Sequence, residues 1–234
     1  MNWNFNILPI ESFQWVDGLT ITHLGFYSSS KQVPRLSLRL PSLTHLFCDR
    51  LGLVELDLSS MPKLTYLNCS DNHLTQLDLS SVPKLTYLDS HVNPITKLDL
   101  SRVPSLTSLG LEETQLTELD LSNVPMLKSL VCTANQLTEL DLSKVPMLTT
   151  LWCHMNKISK LKFSAMPMLT EINCWVNELT ELDLSNMPML TSLNCGANKL
   201  VSLDISALFH LERLRFDSNF TRLIMRPNQQ SSAF

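Results

Sequence analysis

The chain has 234 residues, 44% of them hydrophobic and only 17% charged, and a net charge of −4. That apolar fraction supports a core, while the negative balance and the lack of any Lys/Arg run argue against a nucleic-acid surface, which needs a basic stripe. No apolar window approaches the roughly 18 residues of a membrane-spanning helix, and the first residues lack the basic n-region of a signal peptide, so a soluble protein without membrane insertion is expected.

Residues 1–20 follow no period and carry Phe5, Ile7, Ile10, Phe13, Trp15 and Val16, a composition suited to an N-terminal cap. Residues 21–42 read as a degraded repeat, with Leu24, Leu36, Leu38 and Pro41 in recognisable places. From Leu43 to His210 the chain repeats every 21 residues, marked by Pro62, Pro83, Pro104, Pro125, Pro146, Pro167 and Pro188. The unit reads L-T-x-L-x-C-x-x-N-x-L-T-x-L-D-L-S-x-V/M-P-x, and in the eighth unit Phe209 replaces the proline. A partial repeat and C-terminal cap occupy 211–226, where Phe216 and Phe220, with Phe209 just before, are expected to enlarge the core. Residues 227–234 read as a frayed tail.

Both halves of the unit alternate with period two, x-L-x-C-x and then x-L-D-L-S, so each codes a short strand with one buried face. No stretch carries a helical stripe, and the proline disfavours helical geometry in the residue before it. One unit alone cannot bury enough surface to fold, so the units must stack. The expected fold is mainly β: a solenoid of two parallel sheets of short strands with few or no helices, in one domain.

Segments such as Leu64-Thr-Tyr-Leu-Asn-Cys-Ser-Asp-Asn-His-Leu-Thr-Gln-Leu-Asp-Leu79 resemble the short bacterial leucine-rich-repeat class called IRREKO. The resemblance implies a right-handed solenoid with the first strand on the concave face, a bacterial source and a binding role. The regular proline departs from that class's minimal pattern, which puts the convex corner in question. Bacterial effector ubiquitin ligases with short repeats append a catalytic cysteine domain, for which this chain has no room.

Cys48, Cys69, Cys132, Cys153, Cys174 and Cys195 share one repeat position, with Ser90 and Leu111 in the intervening units. Interchange with leucine marks a core slot, and parallel vectors about 4.8 Å apart suit a disulfide poorly. A buried row of free thiols is expected. Asn72, Asn93, Asn135, Asn156, Asn177, Asn198 and Asn219 form a second row, broken by Thr114, which is read as a corner amide serving backbone groups. Asp57, Asp78, Asp99, Asp120, Asp141, Asp183 and Asp204 form a third, interrupted by Lys162 and facing outward. Its mutual repulsion must be offset by neighbouring Ser, Thr or turn amides, or by cations.

The outward positions of the first strand vary while the frame does not, so the binding residues are sought there. Val131, Trp152, His154, Met155, Trp175 and Val176 cluster in the fifth to seventh units, and Tyr66, Tyr87 and His91 extend the patch towards the N-terminus. Trp and Tyr lead the residues found at binding hot spots. No phosphate loop, HExxH or GxSxG motif occurs, and the histidines are scattered, so no catalysis, metal or cofactor is expected. The reading is a monomeric, non-catalytic module that binds a protein partner through the first-strand sheet. An exported effector or surface protein, leaving the cytoplasm by a non-classical route, is one alternative. A cation-dependent structural protein resting on the aspartate row is the other.

Overall fold

The computed structural model describes residues 6–7, 21–26, 33–217 and 222–226. Apart from the backbone of Asn6–Ile7, the expected N-terminal cap lies outside them, as do Asn219, Phe220 and the tail. The described chain is a parallel β-solenoid, and no helix occurs among the described residues.

One side of the coil is an eleven-stranded parallel sheet. Its strands are Asn6–Ile7, His23–Gly25, His45–Phe47, Tyr66–Asn68, Tyr87–Asp89, Ser108–Gly110, Ser129–Val131, Thr150–Trp152, Glu171–Asn173, Ser192–Asn194 and Arg213–Arg215. The central residue of each three-residue strand points inward, giving a stack of Leu46, Leu67, Leu88, Leu109, Leu130, Leu151, Ile172 and Leu193, all buried. The register advances by one unit per strand, Leu67 against Leu88 and Leu88 against Leu109. A slip of one residue would turn this whole set to solvent.

A second sheet is present in three pieces: Arg35–Ser37 with Glu55–Asp57, Glu139–Asp141 with Lys160–Lys162, and Ser202–Asp204 with Arg222–Ile224. Like charges are absent from all three, but charge alone does not decide where it forms: Lys160 and Lys162 precede Glu181 and Asp183 by one unit, and no strands pair there. No aspartate faces an aspartate in any of the three: Ser37 Oγ donates to Asp57 at 2.8 Å, Lys162 Nζ meets Asp141 at 2.6 Å, and Asp204 faces Ile224. Between Asp57 and Asp141, and between Asp183 and Asp204, like carboxylates oppose one another and no strands pair. Like charges directly opposite weaken a ladder. In that unpaired stretch Leu98, Leu119 and Leu182 are only half-buried.

The corner after the second side answers the question raised by the proline. Two successive turns reverse the chain, closed in one unit by Val82 N to Leu79 O at 3.2 Å and Leu85 N to Val82 O at 3.0 Å. Proline sits second in the later turn, where its fixed φ fits. The aspartate steadies the first turn, its Oδ1 accepting the N–H two residues on, as from Ser80 to Asp78 at 2.9 Å and from Ser143 to Asp141 at 2.9 Å. These bonds hold the Asp57 and Asp141 carboxyls at a pKa of about 2, with Ser59 the largest influence on the first and Lys162 on the second. Where Lys162 replaces aspartate, the first turn is lost over 163–166. Phe209, in the proline slot, does not enlarge the core: it is 65% exposed, and Leu208 fills the interior. The Arg226 guanidinium covers the Phe209 ring at 4.0 Å.

The opposite corner is built on strain. Arg50, Asp71, Val92, Glu113, Ala134, Met155, Val176 and Ala197, one per unit, all have φ between 50° and 58°. That region costs a non-glycine residue roughly 1–2 kcal/mol, and β-branched Val92 and Val176 suit it least. The asparagine that follows holds the corner closed in most units. Asn156 Oδ1 accepts from Leu137 N at 3.0 Å while its Nδ2 donates to the carbonyls of Cys132, Cys153 and His154. At Thr114 the arrangement changes: its Oγ1 lies 2.7 Å from Asn135 Oδ1 and 3.1 Å from Leu111 O, its one proton shared between these acceptors, and Ile95 N turns to Asn93 O instead.

All six cysteines are free and buried. Burial raises every thiol pKa, to about 12 for Cys69, Cys132 and Cys195. Ser90 interrupts this row with a buried hydroxyl that meets no oxygen or nitrogen and has only the Cys69 sulfur, a weak acceptor, beside it. A poorly met buried hydroxyl costs up to about 1–3 kcal/mol. Ser90→Cys should therefore stabilise the protein by about 1 kcal/mol, read as a higher urea midpoint with an unchanged slope.

Candidate functional site

Parallel register sorts the outward side chains of the sheet into rows. The first runs His23, His45, Tyr66, Tyr87, Ser108, Ser129, Thr150, Glu171, Ser192 and Arg213. The second runs Gly25, Phe47, Asn68, Asp89, Gly110, Val131, Trp152, Asn173, Asn194 and Arg215. Two residues further on, past the cysteines, come Asp49, Ser70, His91, Glu112, Thr133, His154, Trp175, Gly196 and Asp217.

A threonine row one residue before the strands serves structure: Thr65, Thr86, Thr107, Thr170 and Thr191 each donate Oγ1 to the carbonyl of the preceding coil. The repeated L-T dipeptide was its signal in the sequence.

The nine residues expected to bind fall into two groups. Tyr66 and Tyr87 stack with ring centroids 4.2 Å apart and 2° between planes. They continue into His45 at 5.6 Å from Tyr66, Phe47 at 4.8 Å, and His23 stacked on His45 at 4.1 Å. His23 and His45 occupy the tyrosine register and Phe47 the neighbouring row, and sequence reading did not single out any of the three. Burial, then the neighbouring His23, lowers the His45 pKa.

Beside this stack His91 lies between Asp89 at 2.7 Å and Asp71 at 3.4 Å, with Arg50 on the far side of Asp71 at 3.3 Å. Burial opposes the charge on His91, but Asp89, Asp71 and Glu112 together outweigh it and raise its pKa. Gly110 keeps this arrangement possible, because a Cβ there would come 2.9 Å from the Asp89 carboxylate.

The second group is Trp152, His154 and Trp175, with Val131 beside Trp152 in register. Trp152 and Trp175 are 38% and 42% exposed, which is unusual for the largest side chain on a fixed sheet. His154 meets the Trp175 ring at 6.5 Å and contacts Thr133 Oγ1 at 3.2 Å. Burial lowers the His154 pKa against the opposing pull of Glu112, so the imidazole beside the indole is neutral near pH 7. Met155 and Val176 sit at the left-handed corner, on the rim of this group. Beyond Trp175 an open recess of about 340 Å³ is lined by Asn194, Gly196, Arg215, Phe216 and Asp217. Gly196 leaves it open, since a Cβ would stand 3.3 Å from the indole and 3.4 Å from the Asp217 carboxylate. Ser108, Gly110 and Ser129 form a low stretch between the two groups.

On the other face of the coil, Glu118, Asp120, Glu139, Asp141, Lys160 and Lys162 line an open groove. Among the described residues, no three His, Cys, Asp or Glu side chains are placed to share a metal ion. Among them, too, no helix is long and apolar enough to cross a membrane.

No protein-family model and no curated protein matches the sequence. Solved structures do. The functional domain of InlJ from Listeria monocytogenes, described as including a cysteine ladder, is 35% identical over 88% of this chain with a TM-score of 0.79. This chain spans 48% of that domain's length. The leucine-rich-repeat protein LIC12759 of Leptospira interrogans is 18% identical, with a TM-score of 0.59, over 88% of this chain and 70% of its own. The LRIM1/APL1C complex matches 94% of this chain and 49% of its own at 19% identity and a TM-score of 0.66. The buried leucines, the 21-residue register and these likenesses make the chain a leucine-rich-repeat solenoid.

Proposed function

We propose that the protein is a non-catalytic module that binds a protein partner on its first-strand sheet, centred on Trp152, His154 and Trp175. The observation that carries this reading is the exposure of two tryptophans on a sheet whose backbone and threonine bonds are otherwise satisfied internally. The fold holds them rigid, so little side-chain entropy is lost on docking. Asp49, Asp71, Asp89 and Glu112 on the same face, with a net charge of −4, favour a partner carrying basic groups over a polyanion. The 35% identity with the Listeria domain supports a bacterial source and the short IRREKO-type class for the unit.

Trp152→Ala/Trp175→Ala is expected to weaken partner capture by at least about 100-fold, since each buried aromatic anchor contributes about 2 kcal/mol or more. The melting temperature should stay within a degree or two of the parent, because both side chains lie outside the core. Capture that survives the double substitution would exclude this surface.

A further inference from the structure

The corner turn carries a second exposed row that the sheet does not explain. The residue after the proline is Lys63, Lys84 and Ser105 in three early units, and then Met126, Met147, Met168 and Met189 in four successive ones. These four are 48%, 39%, 49% and 46% exposed, whereas Met61, Met166 and Met187, just before the proline, are buried. Packing does not require methionine at this corner, because lysine and serine form the same turn in earlier coils.

The four side chains leave the backbone from equivalent points. Each is the third residue of a turn closed between Val124 and Leu127, Val145 and Leu148, Met166 and Leu169, or Met187 and Leu190, at 3.1–3.3 Å. Two residues on, the coils are joined by Thr149 N to Lys128 O, Thr170 N to Thr149 O and Thr191 N to Thr170 O, at 2.8–2.9 Å. Attachment points therefore recur at about the strand spacing of 4.8 Å. A methionine arm has three rotatable bonds and a polarizable sulfur at its end, so neighbouring sulfurs can converge on a single ion between the coils. Thioethers are soft ligands that select Cu(I) and leave Zn(II), Ca(II) and Mg(II) to nitrogen and oxygen sites. The competing soft ligands, the six thiols, are sealed in the core.

We propose that Met126, Met147, Met168 and Met189 form a thioether site for a soft monovalent cation, Cu(I), held by three sulfurs on adjacent coils, with Met147 and Met168 common to both possible sets. The imidazole of His210, in the same corner position of the next coil, is placed to join at the C-terminal end.

The test uses the intact chain labelled with 13C at the methionine methyls and titrated with Ag(I), a redox-inert stand-in for Cu(I). The four corner methyls should shift together and saturate near one ion per chain, while those of Met61, Met166 and Met187 stay in place. Under anaerobic reducing conditions, competition against a Cu(I) chelator should show Met147→Leu/Met168→Leu binding about 100-fold more weakly, because two of the chelating arms are gone. Leucine keeps the corner apolar, and circular dichroism should be unchanged. Two results would overturn the site: isolated Met155 and Met225 shifting at the same Ag(I) concentrations as the row, or the double variant keeping the parent's Cu(I) affinity.

Discussion

Raising the pH from 9 to 10 should strip this protein of several kcal/mol of stability. Each of the six thiols is buried, and burial raises its pKa from 9.0, to about 12 where the rise is best defined. A group with a raised folded pKa keeps its proton in the folded chain while the unfolded chain releases it. Stability is therefore fully present below pH 9 and falls as pH climbs towards 12. Each thiol costs roughly 1.4 kcal/mol per pH unit in that window. Six together cost roughly 8 kcal/mol by pH 10, against a total stability of about 5–15 kcal/mol for a natural domain. Urea unfolding followed by circular dichroism should show the midpoint falling steeply between pH 9 and pH 10. In Cys132→Ala/Cys153→Ala/Cys174→Ala the slope of stability against pH should fall to about half, which separates the thiol contribution from that of tyrosine and lysine. At pH 7.5 a thiol reagent should label the native protein at least about 1,000-fold more slowly than the denatured one, because reaction must await opening of the core.

The second large effect is expected at the asparagine row. Asn156→Ala leaves Leu137 N–H without its acceptor and removes three amide bonds to carbonyls. Cys132 O and Cys153 O keep one amide each, from Asn135 and Asn177, and His154 O keeps Ala134 N–H at 3.0 Å, so the group left without a partner is Leu137 N–H. At about 1–3 kcal/mol for that donor and about 1 kcal/mol for the lost amide bonds, the cost is about 3 kcal/mol, or a melting temperature lower by roughly 6–12 °C. Asn156→Thr should cost less, because Thr114 shows how a hydroxyl at this corner shares its proton between Leu111 O and the next asparagine. Equal losses for Ala and Thr would contradict the role assigned to the amide.

Much of this was legible because the repeat prints each structural slot several times over. Interchange of cysteine with Leu111 marked the core, and the recurring Asn marked a corner with a polar duty. What the sequence could not show was the continuity of the second sheet. The aspartate row and its interruption by Lys162 were visible, but the sheet also breaks between Lys162 and Asp183, where opposite charges fall one unit apart, so the charge pattern did not foretell it. Nor did the residue before each asparagine announce a left-handed backbone, since the position holds Arg, Asp, Val, Glu, Ala and Met. His23 lies in the degraded unit, and pairing through His45 to Tyr66 restores its row, while Phe47 meets the Tyr66 ring from the neighbouring row. The candidate site was visible as residue types at variable positions, but its division into a stacked aromatic run and a tryptophan group required geometry.

The central claim is that the varying outward positions of the first-strand sheet do the binding, while the fixed positions only build the coil. The direct measurement is quantitative capture of one partner by three proteins in parallel. These are the parent, Trp152→Ala/Trp175→Ala on the sheet, and Glu118→Lys/Glu139→Lys on the opposite face, each with its melting temperature recorded. The account predicts that capture is lost only in the tryptophan variant, with all three folded alike. Loss in the glutamate variant with retention in the tryptophan variant would place the binding surface on the other side of the coil and contradict it.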